Sequence, residues 1–225
     1  MPFDDPVATR EFPKTKRPVY KLADGTRVPS VTQILDIKSK AIAGWANRLG
    51  FLNIEYQVQM KRLARAGTLA HTLIADHLDP AKRIEDVVEP DGEIQRWAIT
   101  AFENFLRWGL EHRVEPINIE IPRVSEAFRY GGTPDLVAKI DGRIEIVDWK
   151  SSARVYDDHF LQVAAYRQLA EGVEAVRVVA LGREPRNDAP PDGVRVGTDT
   201  EFAIFQALHH VHVLEKELKE ARTDT

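Results

Sequence analysis

"TPDLVAKIDGRIEIVDWKSS", residues 133–152, sets two short alternating apolar runs around Asp141-Gly142 and ends the second in Asp148-Trp149-Lys150. An Asp-Gly pair supplies the positive φ angles of a two-residue primed turn, so the stretch reads as a β-hairpin. With Ile140 opposite Arg143, counting outward puts Asp135 opposite Asp148, and Lys150 shares their face because side chains alternate with a period of two. Directly opposed Cβ atoms lie about 4.5–5.5 Å apart, so two carboxylates there repel unless something compensates them. A hard divalent ion, Mg²⁺ or Mn²⁺, is one compensation, since it prefers carboxylate oxygens. A solvent-facing ion pair between Lys150 and an aspartate is the other, and it is the commoner fate of an isolated Asp-x-Lys.

Working outward, residues 19–30 form a small hairpin around Asp24-Gly25, and Ser30 with Gln33 makes a capping box that opens a helix at 31–37. Residues 41–79 read as helical with interruptions near Gly50 and Gly67, and 91–111 as an amphipathic helix whose Ile94, Trp97, Ala98, Ala101, Phe105 and Trp108 share a core face. The period then changes to two: strands are expected at 117–124, 133–140 and 143–150, a helix at 160–172, strands at 173–181 and 194–197, and a closing helix at 200–222. Helices, strands, helix, strand and helix in that order imply an α/β or α+β fold on a mixed sheet.

The chain has 225 residues with 43% hydrophobic and 29% charged composition, which suits one domain. Residues 1–17 carry no apolar period and read as a mobile arm. The expected division of 18–225 is a hairpin and helical part (18–112), a sheet core (113–182) and a closing loop, strand and helix (183–225). No long apolar run suggests a membrane span, and the first twelve residues lack a secretory or transit pattern, so a cytoplasmic protein is expected. The absence of cysteine excludes disulfides, iron-sulfur clusters, thiolate zinc sites and a thiol nucleophile. Although the net charge is −4, residues 1–67 hold 12 Lys/Arg against 6 Asp/Glu, a distribution that suits either a polyanion-facing surface or an ordinary solvated one.

Two further patterns bear on chemistry. His71 shares a helical face with Ile74, Ala75 and Leu78 and so points inward, one turn after Gly67, where glycine costs a helix about 1 kcal/mol relative to alanine. Such a histidine is a ligand or a satisfied core residue; the glycine marks close backbone approach or a helix boundary. Gln162 and Tyr166, four apart, are neighbours on one helix face and suit either support of Lys150 or hydrogen bonds within the core. Glu120 alternates with Ile117, Ile119 and Ile121 and is a further candidate, whereas Glu145 falls on the opposite face from Asp148 and is excluded as a ligand. His209 and His212 lack an ordered carboxylate companion and read as structural.

Taken together, Gly67-x-x-x-His71, Gly132-x-x-Asp135, Asp148-Trp149-Lys150 and Gln162-x-x-x-Tyr166 resemble, in order, the motifs of the PD-(D/E)XK nuclease superfamily in its RecB-like exonuclease branch. "VPSVTQIL", "VDWKSS" and "LQVAAY" are similar to the mitochondrial genome maintenance exonuclease and its phage and bacterial relatives. The resemblance implies a restriction-endonuclease-like core with an N-terminal helical elaboration. It implies that His71, Asp135, Asp148 and the Trp149 carbonyl hold Mg²⁺ or Mn²⁺, that Lys150 orients or activates the attacking water, and that Gln162 and Tyr166 support the lysine and the substrate phosphate.

The activity so implied is metal-dependent hydrolysis of DNA from single-stranded ends, in replication, repair or recombination of a bacterial or phage-infected cell. A duplex-end recombination exonuclease and a structure-specific endonuclease are the alternatives within the class; a catalytically inactive nucleic-acid-binding module is the alternative outside it. Lys38, Lys40, Arg48, Lys61, Arg62 and Arg65, with Gly67, are the expected phosphate-binding stretch. Trp45, Phe51 and Tyr56 suit base stacking or core packing. No nucleotide-binding Gly-x-x-x-x-Gly-Lys-Ser/Thr occurs, so any motor or annealing step falls to a separate helicase or single-strand annealing protein.

Overall fold

A computed structural model describes residues 9–11, 18–38, 55–82 and 86–223. At its centre is a five-stranded mixed sheet in the order β11-β10-β9-β8-β5, formed by Asp192–Arg195, Ala175–Ala180, Arg143–Lys150, Leu136–Ile140 and Val114–Ile119 respectively. The hairpin β8–β9 has the expected register, Ile140 against Arg143 and Leu136 against Val147. Asp141 (φ 50°) and Gly142 (φ 95°) both adopt the left-handed conformation that a type I′ turn demands. β10 runs parallel to β9, so the connection must cross the sheet, and helix α4 (Asp157–Arg167) makes that crossing.

Both faces of the sheet are covered, which explains why its central strands are apolar on both sides. Helices α2 (Tyr56–Leu78) and α3 (Gly92–Glu111) pack Leu69, Ile74, Phe105 and Trp108 against Leu136, Ala138, Val147 and Trp149. On the other face α1 (Val31–Leu35), α4 and α5 (Asp199–Thr223) pack Ile34, Val163, Tyr166 and Phe205 against Val137, Ile146 and Val176. The capping box that opens α1 forms as expected, Gln33 N donating to Ser30 Oγ and Ser30 N to Gln33 Oε1. Small strand pairs complete the fold: β2 (Tyr20–Lys21) with β3 (Arg27–Val28), β6 (Arg123–Ser125) with β7 (Tyr130–Gly132), and β1 (Thr9–Glu11) with β4 (Asp86–Val88). Among the described residues no helix is long and apolar enough to cross a membrane.

Four expectations need correction. The run 117–124 is two strands, because Glu120 turns the chain at φ 48° and Pro122 cannot extend a ladder; β5 also starts earlier and bulges at Ile117, between Pro116 and Asn118. Gly67 does not interrupt α2, whose hydrogen bonding runs through it. The helix expected over 160–172 ends at Arg167, with Gly172 (φ 72°) turning the chain into β10. Residues 9–11 of the expected mobile arm pair in parallel with β4.

At the end of the sheet near the hairpin turn, Glu145 is fully buried and accepts from Arg177 (2.7 Å) and Arg143 (2.6 Å). Arg177 also contacts Asp192, which takes the indole N–H of Trp108. Removing one partner of a buried pair strands the other charge, so Arg177→Met should destabilise the protein by about 3–5 kcal/mol in urea unfolding. A change below about 1 kcal/mol would show that Arg143 alone compensates Glu145.

Candidate active site

Asp148 and Lys150 leave β9 on the face that α4 covers. Lys150 Nζ lies 2.6 Å from Asp148 Oδ2 and donates to Gln162 Oε1 at 2.7 Å, while Gln162 Nε2 faces Asp148 Oδ1 at 3.0 Å and the Tyr166 hydroxyl at 2.9 Å. The amide therefore reads both ends of the Asp-Lys pair, and its orientation is set by them. Asp135, just ahead of β8, accepts from the Trp149 N–H through Oδ2 (2.9 Å) and lies 3.3 Å from His71 Nδ1 through Oδ1. His71 comes from α2 on the opposite layer, and its Nε2 lies 3.0 Å from the Trp149 carbonyl. Two helices from opposite faces thus meet at one strand end.

Burial decides the electrostatics. Asp148, 1% exposed, is pushed up to about 6 chiefly by desolvation, with the Asp135 charge adding and Lys150 opposing. Burial would also raise Asp135, but the His71 imidazolium beside it wins and holds that carboxyl low. Burial pushes the imidazolium down, yet Asp135 outweighs it and carries His71 up to about 9. An imidazolium thus supplies the positive charge that the acids require.

The donors suit a hard cation: two carboxylates, a main-chain carbonyl and an imidazole, with buried Asp148 Oδ2 lacking a hydrogen bond although Lys150 is beside it. They are not preformed as a cage. Among the described residues no group of three or more His, Asp or Glu side chains is arranged to hold an ion, and His71 itself spans Asp135 and the Trp149 carbonyl. Binding a cation there requires the imidazole to give up its proton.

Glu120 lines the same groove as His71 and Lys150; its carboxyl is raised by burial and by Asp135, and its N–H donates to the Asp135 carbonyl (3.1 Å). The groove, about 730 Å³, also takes in Thr32, Gly67, Ser151 and Arg183. A Cβ on Gly67 would meet Ser151 Oγ at 3.8 Å, ordinary contact, so the glycine leaves space in the groove rather than relieving a clash. Glu145 points away, as parity requires.

Of the expected phosphate-binding residues, Gly67 lines the groove, while Lys38, Arg62 and Arg65 are each in an ion pair. Arg62 grips Asp91, the N-cap of α3, at 2.8 and 2.9 Å, and Glu93 at 2.7 Å. Its reason is local: it neutralises acids that cap a helix. Arg65 pairs with buried Glu89, and Lys38 with Asp158. Lys40, Arg48, Trp45 and Phe51 lie outside the described residues. His209 meets the Tyr130 ring edge-on and stacks on Phe205, a packing role.

Residues 46–208 match the family model of the PD-(D/E)XK nuclease superfamily. The chain belongs to that superfamily. No curated protein matches it. Among solved structures, LHK-Exo in complex with dAMP superposes with a TM-score of 0.46 at 11% identity, covering 85% of this chain and 89% of that one. A second structure, the alkaline exonuclease LHK-Exo from Laribacter hongkongensis, gives a TM-score of 0.35 at 14% identity over 73% of this chain and 97% of that one.

The role of Gly132 was not apparent from its neighbours in sequence. A Cβ there would come within 2.5 Å of Tyr166 Cε1 and 2.9 Å of Cδ1, so the Tyr166 ring lies directly on this backbone. Gly132→Ala should push the ring aside, loosen Gln162, and lower cleavage about 10–100-fold with the fold retained by circular dichroism. Parental rates in that variant would place Tyr166 outside the lysine's support.

His159, three residues before Gln162, accepts from the Tyr156 N–H through Nδ1 (3.3 Å). Burial, then the Lys150 charge, depress its imidazolium from 6.5 to about 4. Since the folded value is the lower one, the stability that neutral His159 contributes is present above about 6.5 and is lost as pH falls toward 4. Thermal melts from pH 7.5 down to 4.5 should fall more steeply for the parent than for His159→Gln; equal slopes would remove this coupling.

Proposed function

We propose that this chain is a metal-dependent DNA exonuclease of the RecB-like branch, acting on single-stranded ends. The observation that carries the nuclease reading is the convergence of Asp135, Asp148, Lys150, His71 and Gln162 at the end of β9, where His71 and Lys150 line the groove. Support for the branch comes from the four ordered motifs, and support for a strand end from their resemblance to exonucleases.

Asp135, Asp148, the Trp149 carbonyl and His71 would hold the cation, which when bound supplies Lewis-acid polarisation of a phosphate oxygen and acidification of a nearby water. An ammonium has three N–H groups; Lys150 donates one to Gln162 and sits as an ion pair 2.6 Å from Asp148, which leaves it N–H groups for the nucleophilic water or for charge growing on the phosphate. Gln162, oriented by Asp148 and Tyr166, fixes how the ammonium is turned. Water oxygen gives up a proton to solvent as it bonds to phosphorus, the bond to the departing sugar oxygen breaks, and that oxygen takes a proton from solvent and leaves as a hydroxyl.

End-labelled single-stranded and duplex DNA, linear and circular, incubated with Mg²⁺ or Mn²⁺, tests the reading. Linear single strands should be shortened from an end, chelation should abolish the reaction, and Lys150→Ala should reduce it about 100-fold or more. Cleavage of circles would select an endonuclease, and preference for duplex ends a recombination-type exonuclease. Absence of cleavage by the parent, or equal rates in Lys150→Ala, would leave only a binding module.

A further inference from the structure

Resting on the nuclease reading, we propose that Arg183 is a substrate-binding residue, which with Ser151 holds a phosphate of the DNA strand adjacent to the one that is cleaved. Arg183 sits just past β10, whose last residue pairs with Lys150, and the chain is locked there by Leu181 N donating to the Lys150 carbonyl (2.8 Å) and Gly182 N to the Ser152 carbonyl (3.0 Å). Gly182, at φ 71°, makes the turn that carries Arg183 to the groove. From α3, the fully buried Asn104 amide donates to the carbonyls of Leu181 (2.8 Å) and Glu184 (2.9 Å), clamping the turn on both sides of Arg183. A flexible surface arginine would need no such fastening.

Charge compensation singles this residue out. Lys38, Arg62, Arg65 and Lys150 each have a carboxylate within ion-pair distance. Arg183 lines the same groove as Lys150, yet among the described residues no carboxylate lies within 4.0 Å of its guanidinium and no hydrogen bond of its side chain is formed. Its guanidinium instead lies 6.0 Å from the centroid of Trp97, a contact that keeps the planar fork oriented without satisfying its donors. Desolvation lowers its pKa, with only Glu184, its chain neighbour, opposing. A half-buried cation lacking a counter-charge is stabilised when an anion arrives, and a guanidinium matches the oxygens of a phosphate in bidentate fashion. The Ser151 hydroxyl, adjoining Lys150 and likewise without a side-chain hydrogen bond among the described residues, is a further donor in the same groove.

The phosphate has two sources: a terminal monoester or an internal diester. We would measure cleavage and EDTA-phase binding of a 3′-fluorescein-labelled 12-nucleotide oligothymidylate, with a 5′-phosphate or a 5′-hydroxyl, by the parent, Arg183→Ala and Arg183→Lys. Arg183→Ala should weaken binding and raise KM about 10-fold, more than it lowers kcat, and should flatten the salt dependence of binding by about one phosphate contact. Arg183→Lys, which keeps the charge, should recover part of the loss and shows that folding is not the cause. Loss confined to the 5′-phosphorylated strand assigns a terminal phosphate, and loss on both strands an internal one. Parental binding and KM in Arg183→Ala, or a fall in kcat at parental KM that tracks a lowered melting temperature, would overturn the proposal. If the parent itself does not cleave, the nuclease reading fails, while the binding comparison still judges Arg183.

Discussion

Two carboxylates desolvated at one end of a β-sheet must be compensated, and much of this molecule answers that requirement. Asp148 is nearly inaccessible and Asp135 lies beside it, so neither tolerates ionisation without a positive partner close by. Lys150 from the same strand and His71 from across the sheet supply those charges. The demand sets the positions of α2 and α4, because one must carry an imidazole to Asp135 and the other an amide to Lys150. On the proposed function, a cation would replace the imidazolium proton as the source of positive charge.

Main-chain devices help to position this arrangement. The type I′ turn at Asp141-Gly142 sets the hairpin register, and a slip of one residue would send Asp148 to the opposite face. Gly132 lets the Tyr166 ring rest on the backbone, so an α4 side chain is gauged against the main chain of β7 as well as against the core around it. Near the turn, Glu145 and Arg177 bury a second set of charges on the other face. One end of the sheet holds a closed ionic network, and the other an open one that faces a groove.

Positive charge in the basic portion of the chain divides in the same way. Arg62 and Arg65 are absorbed by Asp91, Glu93 and Glu89, so their clustering in sequence reflects the neutralisation of acids around the start of α3. Arg183, far from that stretch in sequence, is a cation of the groove with no carboxylate within ion-pair distance among the described residues. A count of lysines and arginines along the chain therefore says little about where an anionic strand would lie.

Periodicity and turn chemistry alone determined the hairpin, its register, the shared face of Asp135, Asp148 and Lys150, the capping box at Ser30 and the exclusion of Glu145, since each depends on φ angles or parity within a few residues. The order of four motifs also determined the superfamily, which the match over residues 46–208 bears out. Only the tertiary structure decided that α2 runs unbroken through Gly67, that Glu120 turns the chain instead of extending a strand, and that Gly132 seats Tyr166. It alone distinguished spent cations from an uncompensated one. Ion pairing and close approach join residues that are distant in sequence, and no local pattern records which carboxylate reaches an arginine first.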